Sequence, residues 1–149
     1  MSFTMLFKTS AMKLVVLLCV VSCGLNLVQA GVDKSRAIEI LKECKQKTQA
    51  KEDVLDIIDS HKLPSSPEGK CMMHCLLETK GLMKGSQVDT NAFSEFFGKA
   101  YATEPAQLEA AAKAIAACSV KMNEWKGFDK CEIAARLLQC GHDNNISLS

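Results

Sequence analysis

Six cysteines constrain what this chain can fold into more than any other feature of its sequence. An even number of cysteines in a small secreted chain predicts a framework of disulfides, here of three bonds. All six lie after the first thirty residues, which contain two further cysteines, Cys19 and Cys23. The six are Cys44, Cys71, Cys75, Cys118, Cys131 and Cys140.

The first thirty residues have the pattern of a secretory signal peptide. Lys8 and Lys13 form a basic region, and an apolar stretch follows over residues 14–21. This stretch is too short to span a bilayer. Val28 and Ala30 then place small residues where signal peptidase requires them. We therefore expect residues 1–30 to be removed and residues 31–149 to form one secreted domain.

The charge and composition of the chain exclude several classes of function. The leader holds two of the eighteen lysines and arginines and none of the seventeen acidic residues, so the remaining domain has a net charge of −1. This charge argues against a strongly basic nucleic-acid-binding protein, and an aromatic content of 5% argues against a platform for base stacking. The chain contains no run of eighteen apolar residues, so the sequence predicts no membrane span.

Apolar residues recur at helical spacing over nearly all of the domain. Ser66 followed by Pro67 is typical of a helix start, Gly81 of a helix end, and Asp129 of the start of a last helix that ends at Gly141. The sequence shows no β-rich alternation and no internal repeat, so it predicts an all-α globule of about six helices. The predicted helices cover residues 32–47, 51–60, 67–80, 90–101, 105–119 and 129–140.

Helix geometry removes some of the fifteen ways to pair six cysteines. Cys71 and Cys75 lie four residues apart on one predicted helix, so a bond between them would distort that helix. Cys131 and Cys140 would lie about 13 Å apart along the last helix, beyond the disulfide limit of about 7 Å. Ten pairings remain, and the residues alone do not choose among them.

The cysteine spacing resembles that of the six-cysteine insect odorant-binding proteins, the family of general odorant-binding and pheromone-binding proteins. Gaps of 26, 3, 42, 12 and 8 residues separate the cysteines. The family signature likewise has a three-residue gap, a long middle gap and an eight-residue last gap. The resemblance implies six helices around an apolar cavity, with first-to-third, second-to-fifth and fourth-to-sixth pairing. In this chain those bonds are Cys44–Cys75, Cys71–Cys131 and Cys118–Cys140.

The resemblance also implies a function. Such a protein is a secreted, non-enzymatic carrier that takes small hydrophobic ligands, such as odorants, pheromones or related lipophilic molecules, through an extracellular fluid such as sensillum lymph. It implies an odorant receptor complex as a further partner, and a monomer or a homodimer as the oligomeric state.

Apolar side chains on the predicted helices are the candidates for the cavity wall. Methionines adapt to variable ligands, and the alanine-rich residues 110–117 leave little bulk opposite a helix with three phenylalanines. The same stripes are equally compatible with plain core. We expect one polar group, such as the Tyr101 hydroxyl or a backbone carbonyl, to orient the ligand. The candidates for ligand binding are Met72, Met73, Leu76, Leu82, Met83, Phe93, Phe96, Phe97, Tyr101, Ile115, Trp125, Leu137 and Leu138.

Three features near the C-terminus carry separate hypotheses. The resemblance implies a C-terminal tail that covers or enters the cavity, and in this chain Ile146 and Leu148 would do so. Protonation of His142 would loosen this tail and lower the affinity for ligand. Asn145 begins a glycosylation sequon so close to the end of the chain that we expect it to stay unmodified.

The sequence contains no motif for catalysis, and we predict no catalytic residue, no cofactor and no bound metal. His74 lies between Cys71 and Cys75, but cystine sulfur is a poor zinc ligand, so we expect an ordinary helix residue. Two alternatives to the carrier remain open. One is a lipid- or membrane-interacting helical protein like the saposins, and the other is a signalling protein that acts through its surface without a ligand cavity.

Overall fold

Six α-helices and one short β-hairpin make up residues 33–146, the part of the chain that the computed structural model describes. A 3₁₀ turn, Met122–Trp125, joins the last two helices. The predicted all-α fold of six helices is confirmed, and no helix within residues 33–146 is long and apolar enough to cross a membrane. The elements are α1 (Lys34–Thr48), α2 (Val54–Ser60), α3 (Pro67–Thr79), β1 (Met83–Lys84), β2 (Gln87–Val88), α4 (Thr90–Ala100), α5 (Pro105–Lys121) and α6 (Lys130–Asp143).

Short polar side chains fix where the helices begin. The hydroxyl of Ser66 accepts a hydrogen bond from the Gly69 amide, as expected for the predicted start of α3. Asp129 accepts hydrogen bonds from two amides in the first turn of α6. Asp53 caps α2 in the same way, which is why this helix begins at Val54 and not at residue 51 as the pattern predicted.

The structure differs from the predicted elements in two further places. The chain between α3 and α4 forms an antiparallel hairpin that the sequence analysis did not predict, with Met83 paired to Val88. Gly85 makes its turn possible through a positive φ of 57°, which glycine adopts without strain. The last helix does not end at Gly141 but continues to Asp143, and Asn145 then turns the chain with a φ of 59°.

Three disulfides cross-link the helices in the pairing that the resemblance implied, which is therefore confirmed. α3 packs against both α1 and α6, so its two cysteines point to neighbours on different sides. The two cysteines of α6 bond to different helices, α3 and α5. The bonds are Cys44–Cys75, Cys71–Cys131 and Cys118–Cys140, with Cα–Cα distances of 5.7, 4.5 and 5.9 Å.

The buried apolar side chains form two clusters, and Leu138 of α6 packs against both. The α1–α3 cluster contains Ala37, Ile40, Leu41, Cys44, Ala50, Val54, Ile58, Met72, Met73 and Leu76. The α4–α6 cluster contains Leu77, Leu82, Met83, Phe93, Phe97, Ala111, Ala114, Cys118, Trp125, Ile133, Ala134, Leu137, Cys140 and Ile146.

Candidate ligand-binding site

A cavity of about 110 Å³ lies between the two buried clusters, and both contribute to its wall. The wall is mostly hydrocarbon and includes two phenylalanine rings and the small side chain of Ala114. Most of the wall therefore needs no hydrogen bond from a bound molecule, which suits an apolar ligand. The lining residues are Ala37, Leu41, Ile57, Ile58, His61, Leu63, Met73, Leu76, Val88, Thr90, Phe93, Phe97, Ala114, Ile115, Cys118, Ser119, Met122, Leu137, Leu138, Gly141, His142 and Ile146.

The structure brings seven of the thirteen candidate residues together around this cavity. They come from α3, α4, α5 and α6, so no single helix builds the wall. The seven are Met73, Leu76, Phe93, Phe97, Ile115, Leu137 and Leu138. That they contact a ligand stays a prediction.

The other six candidates lie outside the cavity lining. Met72, Leu82 and Met83 are buried in the two clusters. Phe96 lies at the surface beneath the ammonium of Lys80, 4.9 Å from its ring centroid. Burial lowers the pKa of Lys80 below its ordinary 10.5, which is consistent with this packing.

Tyr101 and Trp125, the remaining two, also lie away from the cavity. Tyr101 stacks on Phe97 at a centroid distance of 5.8 Å, behind the ring that faces the cavity. Partial burial, with a contribution from Glu104, raises the pKa of its hydroxyl above 10.0. Trp125 is buried under a groove on the outer surface.

Part of the wall comes from residues that the sequence analysis did not single out for the site. α1 supplies Ala37 and Leu41, while α2 and the chain after it supply Ile57, Ile58 and Leu63. Their amphipathic spacing was visible in the sequence. It predicts burial, however, and burial against a void has the same pattern as burial against core.

Polar groups occur in the lining at His61, Thr90, Ser119 and His142. The hydroxyl of Ser119 donates a 2.7 Å hydrogen bond to the carbonyl of Ile115, one turn earlier, so its oxygen remains free to accept a hydrogen bond. His61 and His142 are exposed on their outer sides. A ligand with one polar group therefore finds partners at the margin of an otherwise apolar wall.

The chain after α6 folds back over the cavity. The amide of Ile146 donates a 2.9 Å hydrogen bond to the carbonyl of Gly141, and the Ile146 side chain is buried against the lining. Leu148, the second residue predicted to cover the cavity, lies outside the described residues. His142 Nδ1 lies 4.0 Å from the Asp143 carboxylate, and the hypothesis that its protonation loosens this tail stays a prediction.

His74 is buried and has a structural partner. Its Nε2 lies 2.9 Å from the carbonyl oxygen of Gly85, so the ring ties α3 to the turn of the hairpin. Within residues 33–146 no group of three histidine, cysteine, aspartate or glutamate side chains is arranged to hold a metal ion.

Comparison with known proteins identifies a family for this chain. Residues 32–144 match the model of the PBP/GOBP family. Pheromone-binding protein Gp-9 of Solenopsis globularia littoralis is 32% identical over 93 residues, which are 58% of this chain and 56% of that protein. The chain thus matches little more than half of the length of this curated relative.

Two solved structures share the fold. Odorant-binding protein dmelOBP28a from Drosophila melanogaster superposes with a TM-score of 0.58 at 22% identity, over 74% of this chain and 89% of its own. The fatty acid binding protein OBP56a from the oral disk of the blowfly Phormia regina superposes with a TM-score of 0.56 at 18% identity. The superposition covers 75% of this chain and 90% of the blowfly protein. Because the family model spans most of the chain and the fold agrees, the chain belongs to the PBP/GOBP family, the insect pheromone-binding and odorant-binding proteins.

Proposed function

We propose that this protein is a secreted carrier that binds a small hydrophobic ligand in the cavity between its two buried clusters and transports it through extracellular fluid. Members of the PBP/GOBP family are binding proteins, not enzymes. The names of relatives that bind a pheromone and a fatty acid support an apolar ligand for this chain too.

The observation that carries the proposal is the apolar cavity itself. An apolar ligand that moves from water into such a wall gains about 25 cal/mol for each Å² of surface it buries, before the costs of ordering. Three disulfides connect the helices around the cavity, and covalent links of this kind limit the collapse of a void that packing alone would fill.

Secretion rests on the leader and the disulfides. Disulfides form and persist in oxidising compartments, which fits an extracellular location. Cleavage after Ala30 lies outside the described residues and stays a prediction. Three further expectations also stay predictions: sensillum lymph as the fluid, an odorant receptor complex as a partner, and a monomer or homodimer as the oligomeric state. Expression of the full chain in insect cells should deliver to the medium a protein whose first residue is Gly31.

The test of the carrier function is displacement of a fluorescent probe, N-phenylnaphthylamine, from oxidised residues 31–149. We expect saturable probe binding and selective displacement by some members of a panel of alcohols, aldehydes, esters and fatty acids. Absence of saturable binding from a helical protein with three intact disulfides would contradict the proposal and favour a protein that acts through its surface. Association with liposomes without probe binding would favour the saposin-like alternative.

A matched pair of variants locates the binding site. Ala114 is buried and lines the cavity, whereas Ala112 lies two residues earlier on α5 and is exposed. Ala114→Met would fill part of the cavity, so we expect it to weaken probe binding about tenfold, which corresponds to about 1.4 kcal/mol. Ala112→Met makes the same change on the solvent side and should leave the affinity as it is. Equal affinities of the two variants would place the probe elsewhere.

A further inference from the structure

The internal cavity has a neighbour on the outer surface of the molecule. A groove of about 430 Å³ lies beside the turn between α5 and α6. Val88 and Met122 line both the cavity and the groove. These two side chains therefore form a partition between the apolar cavity and the groove.

Met122 is suited to act as a movable part of this partition. It is half-buried at the start of the 3₁₀ turn, and its unbranched thioether side chain has three rotatable bonds. Val88, its counterpart, is also half-buried and lies in the two-residue strand β2 at the edge of the hairpin. The Met122 side chain can therefore change its rotamer between the cavity and the groove without a change of the backbone.

The groove combines apolar and cationic groups. Trp125, Phe128 and Ile133 form its apolar part, while Ser86 and Lys126 supply a hydroxyl and an ammonium. Phe128 is 41% exposed, so its ring presents apolar surface to the groove.

Positive charge is available at the groove. Lys126 is exposed and forms no ion pair with any carboxylate of residues 33–146. The guanidinium of Arg136 lies 4.2 Å from the ring centroid of Phe128 but is paired with the Glu132 carboxylate at 2.9 Å, so Lys126 is the cation that the groove lining supplies. The internal cavity, in contrast, has no lysine or arginine in its lining. An anionic head group therefore finds an ammonium in the groove, whereas the cavity lining offers it the imidazoles of His61 and His142 and two hydroxyls.

We infer that the ligand is a single-chain amphiphile with an anionic head, whose hydrocarbon chain fills the internal cavity, passes Met122, and places its head group in the outer groove beside Lys126. This inference rests on the proposed carrier function and adds to it the class and the orientation of the ligand. It also accounts for a cavity of about 110 Å³, which would hold only part of a long chain.

Trp125, the single tryptophan of the chain, reports the orientation directly because it lines the groove. Bromine quenches tryptophan fluorescence only at short range. The experiment compares a stearic acid that carries bromine near its carboxyl end with one that carries bromine near its methyl end. We expect the carboxyl-end bromine to quench Trp125 more strongly at saturation. Equal quenching, or stronger quenching by the methyl-end bromine, would overturn the inference.

A charge variant tests the role of Lys126. Lys126→Met removes the ammonium and keeps a side chain of similar length, and Lys121→Met is the matched control, since Lys121 is exposed but lies outside the groove lining. We expect Lys126→Met to lower the ratio of carboxylate to alcohol affinity, measured at equal chain length, about threefold, and Lys121→Met to leave this ratio as it is. The effect should shrink at high salt and vanish for chains too short to pass Met122.

The outcomes separate this inference from the carrier function. If N-phenylnaphthylamine binds saturably but no long-chain carboxylate displaces it, the carrier function stands and the inference is overturned. An unchanged affinity ratio in Lys126→Met would also overturn it. If the probe itself does not bind the correctly oxidised protein, the carrier function fails first.

Discussion

At the scale of single residues, Gly69 shows how closely the start of α3 packs against the preceding loop. Its amide donates a hydrogen bond to the hydroxyl of Ser66, which in turn donates to the Glu52 carboxylate. This hydrogen bond from Ser66 is the main reason that the pKa of Glu52 lies below its ordinary 4.5. A methyl group at residue 69 would overlap the Glu52 carboxylate and lie 2.5 Å from Cβ of Pro64.

We therefore expect Gly69→Ala to lower the free energy of unfolding by about 2 kcal/mol, because steric strain outweighs the better helix propensity of alanine. Gly98→Ala is the control. Gly98 lies within α4 with open space around the position of a Cβ, so the same change should raise stability by about 0.5–1 kcal/mol. Chemical denaturation of both variants measures the difference. Equal stabilities would show that the loop before α3 yields to the added methyl group.

At the scale of elements, the contact between α3 and α6 combines a disulfide with an ion pair. The ammonium of Lys70 lies 2.6 Å from the Glu132 carboxylate, next in sequence to the Cys71–Cys131 bond. Both side chains are partly buried, and Arg136 donates a second hydrogen bond to Glu132 from one turn further along α6. The hydrogen bond from Lys70 is the main cause that lowers the pKa of Glu132 below its ordinary 4.5.

This pKa shift gives the contact a defined pH dependence. Because the folded state favours the ionised carboxylate, the stability from Glu132 is present above pH 4.5 and is lost as the pH falls below that value. We expect Glu132→Gln to lower the free energy of unfolding by about 1 kcal/mol at pH 7. At pH 3 the difference from the unchanged protein should largely disappear. A difference of the same size at both values would mean that the ion pair is not its source.

At the scale of the whole molecule, the sequence predicted the scaffold better than the binding site. Helix starts such as Ser66 and Asp129 were predictable because capping is local. The disulfide pairing was not, since helix geometry left ten pairings and only the resemblance selected one.

The walls of the cavity were only partly predictable, because a residue that faces a void and one that faces core have the same apolar pattern. Leu41 on α1 belongs to the cavity lining and Met72 on α3 does not, although both are fully buried. Trp125, a candidate for the cavity wall, illustrates the same limit, since an amphipathic side chain suits the outer groove that it lines as well as the cavity.

Because the cavity lies between the two clusters, its occupation should stabilise both. A ligand that fills the cavity would contact Leu41 and Ile58 on one side and Phe93 and Ala114 on the other, since these residues line it. A ligand at one hundred times its dissociation constant adds about 2.7 kcal/mol to the free energy of unfolding, and this gain is shared by every element that must open for the ligand to leave. Filling the cavity would therefore couple two halves that otherwise meet mainly along α3 and α6.

Hydrogen exchange of the intact, oxidised protein, measured peptide by peptide, tests this coupling. With a displacing ligand from the probe experiment at saturation, we expect slower amide exchange in α1 and α2 together with α4 and α5. A molecule bound only at the outer surface would slow exchange in the hairpin and the turn between α5 and α6, and leave α1 and α2 as they are. With its tenfold weaker binding, Ala114→Met at one hundred times the original dissociation constant should reduce the stabilisation of both halves together, from about 2.7 to about 1.4 kcal/mol.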